Sequence, residues 1–124
     1  MNISSILVIE DDHTSMNIIG ELIKASGVKT VCKVPSAEDA ARMLAYQKFS
    51  CIVSDYRLPG ADGVQFLEQL RADGDLTPVV MLSGSPDKQG VIRAKNLPNV
   101  DFLGKPFKMD DLIAAVEKLL ANAK

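Results

Sequence analysis

The sequence has no tryptophan, one histidine and two cysteines, and aromatic residues make up only 5% of its 124 positions. No tryptophan is present to report a conformational change by fluorescence. The cysteines, Cys32 and Cys51, lie in separate apolar stretches with no CxxC spacing and no nearby histidine, which excludes a paired metal or redox motif. They read as small buried hydrophobes of a reducing compartment. Positive charge is not in excess: 14 Lys and Arg against 16 Asp and Glu give a net charge of −2. A domain with no basic field does not hold nucleic acid by itself. Long apolar runs are missing too. The run at residues 6–9 is far too short for a signal peptide or a membrane span, so the expected location is cytoplasmic, with no membrane contact. Neither GxGxxG nor GxxxxGK[ST] occurs, which ranks nucleotide and flavin binding last. Repeats, linkers and low-complexity tracts are absent.

What remains is an ordinary globular balance, 47% hydrophobic and 24% charged. The length suits one domain, 1–124, able to bury about two-thirds of its unfolded surface. Short apolar runs at 6–9, 28–34, 51–53, 79–82 and 100–103 alternate with segments of helical period. Met16, Ile19 and Ile23 share one helical stripe, which Gly27 stops. Ser36 opens a capping box with Asp39, followed by Ala37, Ala40, Ala41 and Leu44 on one face. Residues 58–63 read as a loop before the stripe Val64, Leu67, Leu70. A weak helix is expected over 91–95 with Gly90 at its start, in a Gly- and Pro-interrupted stretch that predicts it to be short or mobile. Leu112, Val116, Leu119 and Leu120 mark a strong last helix. Strands without period-2 alternation are buried on both faces, as parallel strands are. The expectation is therefore an α/β (βα)5 domain: a five-stranded parallel sheet, doubly wound with right-handed crossovers into a three-layer sandwich.

Ligands of such sheets bind beyond the carboxyl ends of the strands. Glu10, Asp11 and Asp12 follow the first run, Asp55 the third, Ser83 and Gly84 the fourth, and Lys105-Pro106 the fifth. Pro35 and Ser36 follow the second and bring nothing reactive, which suits an edge strand in the order 2-1-3-4-5. Clustered carboxylates without a counter-ion repel one another and raise each other's pKa. A hard divalent cation such as Mg²⁺ resolves this with oxygen ligands and usually completes its shell with a phosphate. Lys105 offers a point charge for phosphate and Ser83 a neutral donor. The set describes a phosphoryl group beside a metal, with one carboxylate free to attack phosphorus.

These segments resemble the receiver domains of two-component response regulators. The resemblance runs from Ile6 to Leu120. It rests on Ile6-Leu7-Val8-Ile9-Glu10-Asp11-Asp12, on Val53-Ser54-Asp55-Tyr56-Arg57-Leu58-Pro59-Gly60-Ala61-Asp62-Gly63, on Met81-Leu82-Ser83-Gly84 and on Phe102-Leu103-Gly104-Lys105-Pro106-Phe107, in that order. It implies a flavodoxin-like fold and phosphorylation of Asp55 from a phosphohistidine on a histidine kinase or histidine phosphotransfer protein. It implies Mg²⁺ held by Asp11, by Glu10 mainly through water, by Asp55 and by the backbone carbonyl of Arg57. Ser83 would bond the phosphoryl group, Lys105 would pair with Asp55 and then with that group, and Phe102 would be the switch aromatic. The Lys105–Pro106 bond would be cis. An output partner or fused effector domain would read the switch, and a homodimer through the C-terminal face is compatible with it.

Phe102 lacks the hydroxyl common at its position, Ala61 is smaller than usual there, and Gly104 leaves the site more open. The Arg57 side chain would hover near the site and bias loss of the phosphoryl group. Asp12 reads mainly as helix N-terminal charge, His13 as solvated, and Phe66 and Phe107 as core. The chain would be no enzyme beyond its own phosphorylation and dephosphorylation. The rival reading is a haloacid-dehalogenase-type phosphohydrolase. That chemistry wants an acid two residues after its aspartate, where Arg57 stands. In the order 2-1-3-4-5, Cys32 and Cys51 sit about 10 Å apart across the first strand. That is too far for a disulfide.

Overall fold

The computed structural model describes residues 4–58, 61–83, 88–105 and 107–122. Among these residues twelve elements follow in order: β1 (Ser5–Ile9), α1 (His13–Ala25), β2 (Thr30–Val34), α2 (Ala37–Tyr46), β3 (Cys51–Asp55), β4 (Arg57–Leu58), β5 (Ala61–Asp62), α3 (Gly63–Ala72), β6 (Val79–Ser83), α4 (Lys88–Lys95), β7 (Val100–Gly104) and α5 (Met109–Asn122). Five strands form one parallel sheet in the order β2-β1-β3-β6-β7, which is 2-1-3-4-5 when sheet strands alone are counted. Cys32 pairs with Leu7, and Leu7 with Ile52, so a whole strand separates the two cysteines, and both are free.

Each interior strand feeds two cores, because successive side chains leave opposite faces of the sheet. Leu7, Ile9, Ile52, Val79 and Met81 pack under Ala40 of α2, Val64, Phe66, Leu67 and Leu70 of α3, and Ala94 of α4. Ile6, Val8, Cys51, Val53, Val80 and Leu82 face Ile19 and Ile23 of α1 and Leu112, Ala115, Val116 and Leu119 of α5. Phe107 packs half-buried against this second layer. That double burial is why β1, β3 and β6 are apolar without alternation. The edge strands β2 and β7 are only partly buried.

Local chemistry sets the helix ends. Asp12 caps α1, its carboxylate accepting from the Ser15 amide at 2.9 Å. The Ser36 hydroxyl accepts from the Asp39 amide at 3.1 Å, the first bond of a capping box, and donates to the Asp39 carboxylate at 3.0 Å. Gly27, at φ 101°, supplies the left-handed residue after α1. Two expectations need correction. The fourth helix is short, eight residues, but it starts at Lys88, so Gly90 lies within its first turn and does not mark its start. A glycine inside a helix costs only about 1 kcal/mol and does not fix a boundary. The stretch 58–63 is not simply a loop, since β4 and β5 pair antiparallel as Arg57↔Asp62 and Leu58↔Ala61.

At the amino ends of the strands, far from the candidate residues, Arg71 of α3 binds four main-chain carbonyls: Asp75 at 2.8 Å, Thr77 at 2.8 Å, Pro98 at 2.9 Å and Asn99 at 3.1 Å. Asn99 holds a left-handed backbone, φ 57°, and its side-chain amide donates to the Leu76 carbonyl at 2.9 Å. One planar guanidinium thus ties the segments that lead into β6 and β7. Arg71→Met is expected to cost about 3 kcal/mol, since several half-buried carbonyls lose a charged donor. Arg71→Lys restores little, because an ammonium cannot span the fork. Urea unfolding at constant slope measures this; loss below 1 kcal/mol contradicts it.

Candidate functional site

Parallel strands deliver their carboxyl ends to one edge of the sheet, and register brings the candidate residues side by side. Ile9 pairs with Ser54, Asp55 with Leu82, and Ser83 with Gly104. Glu10 and Asp11 therefore leave β1 next to Asp55 at the end of β3, while Ser83 ends β6. The Lys105 amide extends the β6–β7 ladder by donating to the Ser83 carbonyl at 2.8 Å.

Oxygens of Glu10, Asp11 and Asp55 all lie within 4.8 Å of one another, a spacing that could hold a metal ion. The Lys105 ammonium lies 3.3 Å from Asp55 Oδ1 and 3.6 Å from Glu10 Oε2. Asp11 is exposed, Asp55 half-buried and Glu10 buried, at 3% exposure. Glu10 Oε1 accepts from the Asp12 amide at 3.1 Å. Oε2 is buried and receives no hydrogen bond among the described residues. A carboxylate oxygen buried without a donor, beside two more acids, is the donor set a hard oxygen-seeking cation needs. The residues present fit a divalent ion.

Burial is the largest cause that pushes the Glu10 carboxyl above its ordinary range, with the Asp55 charge adding to it; the Asp12 amide and Lys105 pull the other way. A carboxyl whose folded pKa exceeds its unfolded one penalises the fold once it is ionised. That penalty is absent below the unfolded pKa and grows until pH passes the folded one. In EDTA, Glu10→Gln is therefore expected to be more stable than the parent at pH 7.5, with the difference shrinking toward pH 4. Urea midpoints at the two pH values measure it. A destabilised Glu10→Gln at pH 7.5 contradicts it.

The other candidates divide. Ser83 is buried, 4% exposed, at the end of β6. Arg57 is exposed on β4, directly after Asp55-Tyr56. Phe102 lies away from the acids: it pairs with Met81 in mid-sheet and packs half-buried against the α2–α3–α4 layer. Asp12 serves α1 as its cap, with its carboxyl held below the ordinary range chiefly by the Ser15 amide. His13 is exposed and, among the described residues, joins no metal-ligating group. Gly84, Pro106 with its expected cis bond, and the Ala61 side chain lie outside what the structure describes.

Two features of the site were not singled out from the sequence. Gly63 opens α3 under Asp55, and a Cβ there would sit 2.7 Å from the Asp55 carbonyl oxygen and 2.6 Å from Met81 Sδ. Ser54 is fully buried and donates to that same carbonyl at 3.0 Å. The only sequence signal for Ser54 is a hydroxyl interrupting an apolar run.

Comparison with known proteins agrees with this geometry. A family model for the response regulator receiver domain matches residues 6–117. The transcriptional regulatory protein FixJ of Bradyrhizobium diazoefficiens is 33% identical over 119 residues, which cover 96% of this chain and 58% of that protein. The regulatory protein VanRB of Enterococcus faecalis is 32% identical over 123 residues, covering 99% of the chain and 54% of that protein. The chain thus spans about half the length of the curated relatives it matches. The receiver domain of the Francisella response regulator 1452 superposes with a TM-score of 0.84 at 28% identity, covering 98% of this chain and 99% of that one. None of these findings supports a haloacid-dehalogenase. The chain belongs to the response regulator receiver domain family, the phospho-accepting modules of two-component systems, and shares its flavodoxin-like fold.

Proposed function

We propose that Asp55 is the phosphoryl acceptor and that the described pocket catalyses its own loading. The observation that carries this is the Lys105 ammonium 3.3 Å from Asp55 Oδ1, beside three acids whose oxygens lie within 4.8 Å. Asp55 is the half-buried acid of the three, held at a strand end with one cation. Glu10, Asp11, Asp55 and the Arg57 main-chain carbonyl would hold Mg²⁺, which when bound neutralises charge on the phosphoryl oxygens.

A histidine kinase or a histidine phosphotransfer protein presents phosphohistidine. An Asp55 oxygen attacks phosphorus in line, the P–N bond breaks, and the histidine nitrogen leaves with the bonding pair. Lys105 then turns from the carboxylate to the phosphoryl oxygens, and the Ser83 hydroxyl donates to another. Water later cleaves the phosphorus–oxygen bond and regenerates Asp55. The chain is a switch and turns over no other substrate. The added charge draws Ser83 and Lys105 together, Phe102 turns inward, and the face built from α4, β7 and α5 changes for an output partner or fused effector domain, or for a second copy. Such signalling places the domain in the cytoplasm. Among the described residues no helix is long and apolar enough to cross a membrane.

Acetyl phosphate with Mg²⁺ is expected to load one phosphoryl group per chain, and EDTA to prevent it, as intact mass will show. Loading that ignores EDTA, or steady release of phosphate from unrelated phosphomonoesters, overturns the reading.

A further inference from the structure

Three polar side chains are buried among the described residues: Glu10, Ser83 and Ser54. The first two belong to the pocket described above. Ser54 has no part in it, yet it is the most buried of the three, at 0% exposure. It lies on β3 among Ile52, Val53 and the paired Ile9 and Met81. In such surroundings a hydroxyl costs desolvation that valine would avoid, and only a hydrogen bond offsets it. Its bond goes to the main-chain carbonyl of Asp55, at 3.0 Å.

That carbonyl begins the peptide plane between Asp55 and Tyr56. The other end of the plane is fixed as well, since the Tyr56 amide donates to the Leu82 carbonyl at 2.8 Å. Below the carbonyl stands Gly63, with no room for a side chain. The plane is therefore held at its oxygen by Ser54 and at its nitrogen by β6, just where the strand ends and ladder pairing gives out. This plane contains the Asp55 Cα and the Cα–C bond beside which the side chain branches, so holding it narrows the directions in which the Asp55 side chain leaves the backbone. It thereby helps to fix where the carboxylate stands relative to Lys105 and Glu10.

We infer that Ser54 is a positioning residue for the phosphorylation of Asp55, its buried hydroxyl fixing the Asp55–Tyr56 peptide and through it the attacking carboxylate. The inference rests on the reading of Asp55 as acceptor. Misplacing an attacking group slows reaction even when every reacting group is present. Losing one net hydrogen bond from that alignment corresponds to about a fivefold slower reaction.

The test compares the intact chain with Ser54→Ala and Ser54→Thr. Two quantities are read: the initial rate of labelling by acetyl phosphate at saturating Mg²⁺, and the Asp55 carbonyl ¹³C resonance in metal-free protein. The expected result is labelling about fivefold slower in Ser54→Ala, with half-saturating acetyl phosphate unchanged, and a shifted Asp55 carbonyl resonance. Ser54→Thr keeps the hydroxyl and returns both toward the parent values, which a purely space-filling role does not explain. Parent-like labelling and an unmoved carbonyl resonance in Ser54→Ala overturn the role of Ser54 while leaving Asp55 as acceptor. A parent chain that takes no label at Asp55 overturns the acceptor reading and this inference with it.

Discussion

Asp55→Asn is expected to lose Mg²⁺-dependent labelling by acetyl phosphate, a fall of at least about a thousandfold, because removing a nucleophile removes the bond-forming step itself. The amide keeps the size of the side chain, so packing around a half-buried position changes little. It carries no negative charge, and its nitrogen cannot accept a bond from Lys105, which stands 3.3 Å from Asp55 Oδ1. Lys105→Met should behave differently. It leaves the proposed nucleophile in place and removes a positive charge that would face the phosphoryl oxygens, an expected loss of about a hundredfold. It also leaves the buried Glu10 Oε2 without its nearby cation. Rates of label uptake for the two variants, at equal Mg²⁺, measure the contrast. Equal residual rates would show that the two groups do not have separate roles.

Gly63→Ala is expected to lower both stability and labelling. The new methyl would stand 2.6 Å from Met81 Sδ and 2.7 Å from the Asp55 carbonyl oxygen. Met81 is fully buried beneath the α3 layer, so its side chain has little space to yield. The carbonyl belongs to the backbone that carries the proposed acceptor carboxylate, and it can yield only if α3 moves away or β3 shifts. Overpacking of this kind costs about 3 kcal/mol. In a domain of this length that lowers the melting temperature by about 10 °C. Because the strain falls on Asp55, labelling slows even where the protein remains folded. Thermal unfolding and label uptake at 15 °C measure both effects. A Gly63→Ala protein with parent stability contradicts the close contact.

The arrangement of the sheet was legible because β1, β3 and β6 each carry an apolar run of three or four residues without alternation, which only strands covered on both faces need. The pocket was legible for a related reason. Parallel strands end on one edge, so residues following different strands converge without any sequence proximity. Glu10, Asp11, Asp55 and Lys105 meet as that rule requires. The β4–β5 hairpin was not legible, since two residues per strand cannot show a period. The first turn of α4 was hidden by a glycine that the helix tolerates. The carbonyls gathered by Arg71 lie up to 28 positions away and carry no side-chain signature, so no motif announces them. Ser54 is similar: its partner is main chain, and only the orientation of one peptide plane gives the hydroxyl its purpose.

The most direct test locates the phosphoryl group chemically. After Mg²⁺-dependent loading by acetyl phosphate, borohydride reduces an aspartyl phosphate to homoserine, and peptide sequencing reads where that residue stands. The expected result is homoserine at position 55 and unchanged aspartate at 11 and 12. Homoserine at either of those positions, or none in fully loaded protein, contradicts it.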